Sequence, residues 1–179
     1  MVHQAERRRQ ALEQLLELTT LLGEGMEADA AGRGLTVART EIIWVLHHQG
    51  PMRQRDLADA LRVSPRNVTG LVDGLEATGF AVRERHPNDR RASLVKLTEM
   101  GTAVAEALVA DQDDFSRFLF GGISDMQLAQ LLCIVGGVLD RLRSPAYAEV
   151  RRAALERWAV RRDAIHDHSP AEHAPTRSA

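Results

Sequence analysis

Residues 62–79 read RVSPRNVTGLVDGLEATG. Ser64 is a good helix N-cap, because its hydroxyl can accept from a backbone N–H of the first turn. Pro65 takes the first helical position, where its missing N–H costs nothing. Gly79 stands where a helix ends, since glycine enters the left-handed region at little cost. Between these signals Val68, Leu71, Val72 and Leu75 fall at i, i+3, i+4 and i+7 and make one apolar stripe facing a core. At about 100° per residue, the opposite face presents Arg66, Gly70, Asp73 and Ala77, with Asn67 and Thr69 on its flanks. The first turn therefore offers hydrogen-bond donors beside a position with no side chain. A polar surface helix and a helix lying in a groove both fit that pattern. Gly70 and Gly74 favour the groove, because each costs roughly 1 kcal/mol relative to alanine and so implies close approach.

The neighbours of this helix support the same reading. Upstream, residues 54–61 form a short helix with Leu57, Ala58 and Leu61 inward, preceded by Arg53 where serine or threonine would cap better. A short helix, a three-residue RVS turn and a second amphipathic helix make a helix-turn-helix unit, whose second helix reads a major groove. Downstream come two strands, FAVRERH and RASLVKLT, with Phe80 and Val82 expected inward and Arg83 and Arg85 outward. In the second strand Ala92, Leu94 and Leu97 are apolar and Ser93 and Lys96 polar, and the turn between the strands carries Pro87, Asn88, Asp89, Arg90 and Arg91. Helix-turn-helix followed by a β-hairpin is a winged helix, so the fold class is mainly α with a small β-hairpin wing.

The run 53–101, and above all SPRNVTGLVDGLE followed by PNDRRASLVKLT, resembles the DNA-binding core of the multiple-antibiotic-resistance regulator (MarR) family. Gly74 departs from the pattern, since many members carry a long basic or polar residue there. The resemblance implies that Arg91 points from the wing tip toward a minor groove or its phosphates. Asp89 would hold that guanidinium by a charge-assisted hydrogen bond, and Arg90 would meet phosphate. A narrow A·T-rich minor groove has enhanced negative potential and suits such an arginine. In the same reading Arg66 meets a base edge, guanine O6 and N7, with Asn67 and Thr69 on bases or phosphates beside it. Ser64 both caps the helix, with Pro65 behind it, and offers its hydroxyl to a phosphate. Arg53 and Gln54 lie where backbone contacts occur. The family often binds small aromatic or phenolic effectors between its dimer helices and the DNA-binding core. Trp44 could line such a pocket or be core packing, so the effector pocket stays unassigned.

The flanks supply candidate dimer helices. One helix covers about residues 5–30, with Leu12, Leu15, Leu16, Leu22 and Met26 at helical spacing, and ends at GRGL. Another covers 37–48, carries Ile42, Ile43, Val45 and Leu46, and stops at Gly50-Pro51. His47 and His48 sit at its end, where a cation suits the dipole. After Thr98, placed to cap, a long helix runs through Val104 and Leu108 toward Phe115 and Phe118 and breaks at GGIS. Ser124 with Gln127 forms a capping box for the next helix. That helix is apolar on nearly every side over 131–139, which one stripe against its own domain would not explain and a partner subunit would. Gly136-Gly137 would let two helices approach. A further helix follows, with Tyr147, Val150, Ala154, Trp158 and Ile165 on one face. The expected organisation is 1–35 an N-terminal dimerisation helix, 36–98 the winged helix-turn-helix, 99–145 C-terminal dimerisation helices, 146–168 an additional helix and 169–179 a disordered tail.

Composition bounds the remaining possibilities. The chain has 179 residues, 44% hydrophobic and 27% charged, as an ordinary globular protein has. Its net charge of −2 hides an island, because residues 51–98 hold nine basic and six acidic residues, leaving −5 elsewhere. A local basic excess in an acidic protein is a footprint for a polyanion. Arginine outnumbers lysine 22 to 1, Lys96 being the one lysine, which points to a GC-rich genome more than to chemistry. No run of 18 apolar residues is present, so no membrane span is expected, and the basic, amphipathic N-terminus does not read as a secretory signal. Cytoplasm is the expected address. A single cysteine, Cys133, excludes a disulfide framework and reads as a buried, inert thiol. His166, His168 and His173 read as solvated residues rather than metal ligands, and no metal, cofactor or enzyme site is expected, for want of a phosphate loop, a nucleophile elbow or paired catalytic carboxylates. Two functions remain open. One is a homodimeric repressor that binds a pseudo-palindromic double-stranded DNA operator and is relieved by a small aromatic effector. The alternative is a winged-helix protein-interaction module without DNA binding, which would have no reason to keep Arg66, Asp89 and Arg91 together.

Overall fold

A computed structural model describes residues 2–86 and 89–167, with backbone alone at 2, 86, 89–92, 160 and 162–167. Its elements run α1 (Val2–Gly32), α2 (Val37–Gln49), α3 (Gln54–Leu61), α4 (Pro65–Ala77), β1 (Ala81–His86), β2 (Asp89–Leu97), α5 (Glu99–Phe120), α6 (Asp125–Arg143) and α7 (Pro145–Asp167). Expected helices and strands all form. The tail 169–179 and His168 and His173 lie outside the described residues. No single helix among the described residues is long and apolar enough to cross a membrane.

The chain divides into two units, Met1–Arg117 and Phe118–Ala179. In the first, Ile42 and Ile43 of α2, Leu57 of α3, Val68, Val72 and Leu75 of α4 and Val95 of β2 are fully buried and form one core. Removing each of these side chains from water contributes about 1.5–3 kcal/mol. The expected stripe of α4 is thus the element's core face, with Leu71 at its edge. Thr36 caps α2, its hydroxyl accepting from the Arg39 N–H, and Gly50 ends it at φ 77°. Arg53 supplies no side-chain cap to α3, and Arg62 closes α3 in the left-handed region at φ 56°. Ser64 caps α4, accepting from the Asn67 N–H at 3.2 Å, and Gly79 turns the chain out of it at φ 79°. Thr98 caps α5 through the Gly101 N–H at 3.1 Å and donates its own hydroxyl to the Gly79 carbonyl at 2.7 Å. Arg33, at the end of α1, pairs with Asp29 and with Asp111 of α5. Those two carboxylates, Asp29 foremost through its hydrogen bond, hold the guanidinium pKa above its ordinary value.

The wing departs from the sequence expectation in phase. Phe80 is buried as expected, but it precedes the strand. Within β1 and β2 the pairs Ala81↔Leu97, Arg83↔Val95 and Arg85↔Ser93 share one face, and Val82↔Lys96 and Glu84↔Leu94 share the other. Ala81 and Val95 are buried, so Arg83 points inward and Val82 does not. The expectation of Val82 inward and Arg83 outward is off by one residue, and among the described side chains of β2 the buried one is Val95. Asp89, Arg90 and Arg91, expected in the turn, are in β2. The ladder passes from Arg85↔Ser93 to His86↔Asp89, so the register skips 90–92 in a bulge. Met52 forms an isolated bridge to β2 that the sequence did not suggest, exchanging backbone bonds with Val95 at 3.1 and 2.7 Å.

In the second unit, α6 and α7 pack on each other. The capping box at Ser124 and Gln127 is present. Helix α6 buries none of its residues, with Leu132 and Ile134 each 66% exposed. Cys133 is exposed too, against the expectation of burial, because none of the described residues covers that face. On α7, Val150 and Trp158 are likewise exposed.

Candidate nucleic-acid interface

The first turn of α4 stands clear of the core. Arg66, Asn67, Thr69 and Gly70 are exposed, while Val68 between them is fully buried and anchors the turn. The Arg66 guanidinium has no hydrogen-bond or ion-pair partner among the described residues. Ser64 is exposed and occupied as a cap, with hydroxyl lone-pair capacity left over. Thr69 donates its hydroxyl to the Pro65 carbonyl at 3.0 Å. Gly70 opens onto free space.

Arg83 organises the flank of this helix, a role the sequence reading did not give it. Its guanidinium donates to Asp73 at 2.6 Å and to Glu76, both on α4, and its backbone N–H donates to Glu76 at 2.8 Å. Gln54, at the start of α3, turns its amide oxygen to Arg83 and accepts from Nε at 2.9 Å and Nη2 at 2.6 Å. The same amide lies 3.4 Å from the Thr69 hydroxyl. One side chain therefore fixes the wing, the recognition helix and the helix before it in a single arrangement. Two of the expected contact residues, Gln54 and Thr69, meet here. The signal in the sequence was the acid pair Asp73 and Glu76 at i, i+3, which a basic residue could bridge, but which strand residue faced it depended on the phase.

These pairings also change the charge picture. Arg83 is spent on α4 carboxylates, and Lys96 pairs with Glu84 at 2.6 Å on the outer face of the wing. The basic island is therefore narrower than the residue count suggested, and exposed Arg55, Arg62, Arg66 and Arg85 are among its remaining described members. The side chains of Asp89, Arg90 and Arg91 lie outside the described residues, so the expected Asp89–Arg91 contact is not placed. Trp44 is half-buried, its ring 4.3 Å from that of His48, whose Nδ1 lies 2.9 Å from the Trp44 carbonyl. Among the described residues no group of three or more His, Cys, Asp or Glu could hold a metal ion.

A capped groove-type helix, a helix packed before it and a bulged two-stranded wing behind it define a winged helix-turn-helix protein. The model of the MarR family matches residues 35–93, the segment that holds α2 to the wing. That segment is a MarR family domain, and the relatives it resembles are HTH-type transcriptional regulators. It is 28% identical over 133 residues to the uncharacterized HTH-type transcriptional regulator YdgJ of Bacillus subtilis (strain 168), covering 74% of this chain and 77% of that one. It is equally similar, 28% over 133 residues, to the HTH-type transcriptional repressor YetL of the same organism, covering 72% of this chain and 78% of that one. Among solved structures it is similar to AbsC, a MarR family transcriptional regulator from Streptomyces coelicolor. That match has 26% identity and a TM-score of 0.63, over 75% of this chain and 93% of that one.

Proposed function

We propose that this regulator is a homodimeric repressor that binds a pseudo-palindromic DNA duplex and is released by a small aromatic effector. The observation that carries the reading is the Arg66 guanidinium, unpartnered among the described residues, on the exposed first turn of a rigidly held α4. A planar fork of donors there is suited to guanine O6 and N7 in a major groove. Arg53, Gln54, Ser64, Pro65, Asn67 and Thr69 surround it as positioning and phosphate contacts, and Asp89, Arg90 and Arg91 are assigned to the wing contact. The uncovered apolar residues of α6 support a second copy, whose twofold axis would present two recognition helices one helical turn apart. Repression is supported by likeness to YetL. Effector release rests on the family resemblance and has no assigned pocket. The reading assigns no catalytic residue, and the protein would act in the cytoplasm.

Selection of duplexes from a randomised pool by the intact protein tests this. Enrichment of one motif with inverted half-sites is expected. A pool indistinguishable from its input after repeated rounds overturns DNA recognition and returns the molecule to the class of protein-interaction modules.

A further inference from the structure

Helix α4 carries one arginine of its own, Arg66, and its two acids Asp73 and Glu76 are both held by Arg83 on one flank. On the other flank Gly74 has no side chain, yet that space is filled. Arg39, from the first turn of α2, lays its guanidinium there. A Cβ on Gly74 would stand 2.5 Å from Cζ and 2.7 Å from Nε of Arg39, closer than non-bonded atoms approach. The guanidinium thus rests on the α4 backbone in the place of an α4 side chain. Among the described residues no carboxylate pairs with it. Arg33 and Arg83, the other half-buried arginines among the described residues of this unit, each hold two acids.

We infer that Arg39 is a phosphate-binding residue of the DNA interface, a cation that α2 lends to the recognition helix at Gly74. The inference rests on the DNA-binding reading above and names a contact within it. Eight residues separate Arg66 from Gly74, about 12 Å along the helix axis, so the two guanidiniums cannot address the same base pair. A helix whose first turn meets base edges carries its later turns toward the backbone that bounds the groove. A fork of donors there matches phosphate oxygens and stays charged at any working pH. Glycine at 74 is then the seat of a neighbour's side chain, which offsets the helix propensity it gives up.

The test uses the full chain. The parent first selects a duplex of about 30 base pairs, long enough for two half-sites one turn apart with flanks. Affinity for that duplex, and for a scrambled one, is then followed by fluorescence anisotropy through a salt series. Arg39→Ala is expected to weaken both and to reduce the slope of log K against log salt by about 0.9 per protomer. Between 50 and 200 mM salt the parent then loses about 3.5-fold more affinity per protomer than the variant. Arg39→Ala combined with Gly74→Arg restores the slope, because a long α4 side chain returns the cation to the same place. Gly74→Ala keeps Arg39 but takes its seat, so affinity falls while the melting temperature does not, alanine being the better helix former. An unchanged slope and affinity in Arg39→Ala overturns the inference while leaving the parent's DNA binding intact. A loss confined to the selected duplex with an unchanged slope overturns it too, since that marks a base contact. A parent that selects no duplex overturns the DNA-binding reading, and this inference with it.

Discussion

Arg83 donates to two carboxylates and an amide, whereas Arg66, on the same domain, has no charged partner among the described residues. Both are arginines in a basic stretch, and only their surroundings separate structural from binding work. Arg83→Ala leaves Asp73 and Glu76 facing each other without a cation. The expected cost is about 1–2 kcal/mol, discounted for the exposure of Asp73, and it is read as a lower midpoint in denaturant. Arg83→Lys should recover little of it, because a point charge cannot span both acids and Gln54. Arg66→Ala should leave that midpoint unchanged and weaken the selected duplex by roughly 1–3 kcal/mol, with relaxed preference at one base pair. Equal loss on selected and random DNA would reduce Arg66 to a phosphate contact. At the wing, Arg91→Ala should weaken DNA binding strongly with fold and dimer intact. Asp89→Ala separates two accounts. Electrostatics alone predicts tighter binding when an acid beside a polyanion is deleted. An orienting role predicts weaker binding, and a double variant little worse than Arg91→Ala alone. Tight binding by Asp89→Ala, with circular dichroism unchanged, removes the orienting role.

Elements begin and end here through local chemistry, and that is why their bounds were readable. Ser64 and Pro65 start α4, and Ser124 and Gln127 start α6, by bonds between residues three apart. Ser64→Ala should cost about 1 kcal/mol of stability, measured by thermal melting. If the same hydroxyl also holds a phosphate, DNA affinity well below the melting temperature falls as well. The start of α5 holds a sharper test. Helix propensity alone says Gly101→Ala stabilises by roughly 1 kcal/mol. A Cβ at that position, however, would strike the Phe80 carbonyl and stand 3.3 Å from Leu97 Cβ. A backbone oxygen cannot swing aside as the tip of Arg39 can, so the variant should be destabilised, by more than the propensity gain, in the same melting assay. A Gly101→Ala protein as stable as the parent would mean that α5 shifts freely against the wing. The wing's phase was not legible in the same way. With period two, a one-residue slip exchanges the faces, and FAVRERH offers apolar residues in both. Pairing with Val95 and the anchor at Met52 chose between them.

Each of the two units leaves large apolar side chains uncovered. Leu12, Leu16 and Leu21 on α1, Phe118 on α5 and Leu132 and Ile134 on α6 are all more than half exposed in the single chain. Monomers rarely leave so many large apolar side chains in water. Light scattering at micromolar concentration is expected to give twice the mass of one chain. Ile134→Asp, which places a charge among the exposed apolar residues of α6 without touching the winged-helix core, should shift the mass toward one chain and weaken duplex binding, since two linked recognition helices bind better than one. A parent that scatters as a single chain ends the dimer proposal.

Some of this protein was determined by residues close together in the chain. Caps, the apolar stripe of α4, the helix-turn-helix spacing and the presence of a hairpin are set by bonds and periodicities spanning a few residues, so the linear order of side chains contains them. Contacts between distant residues were not contained in that way. The tie from Arg83 to α4 and Gln54, the Met52–Val95 bridge and the seat of Arg39 on Gly74 join segments 7 to 43 residues apart. Each depends on which face a neighbour turns inward, and only the packed core, by burying Val68, Val72, Leu75 and Val95 together, decides that.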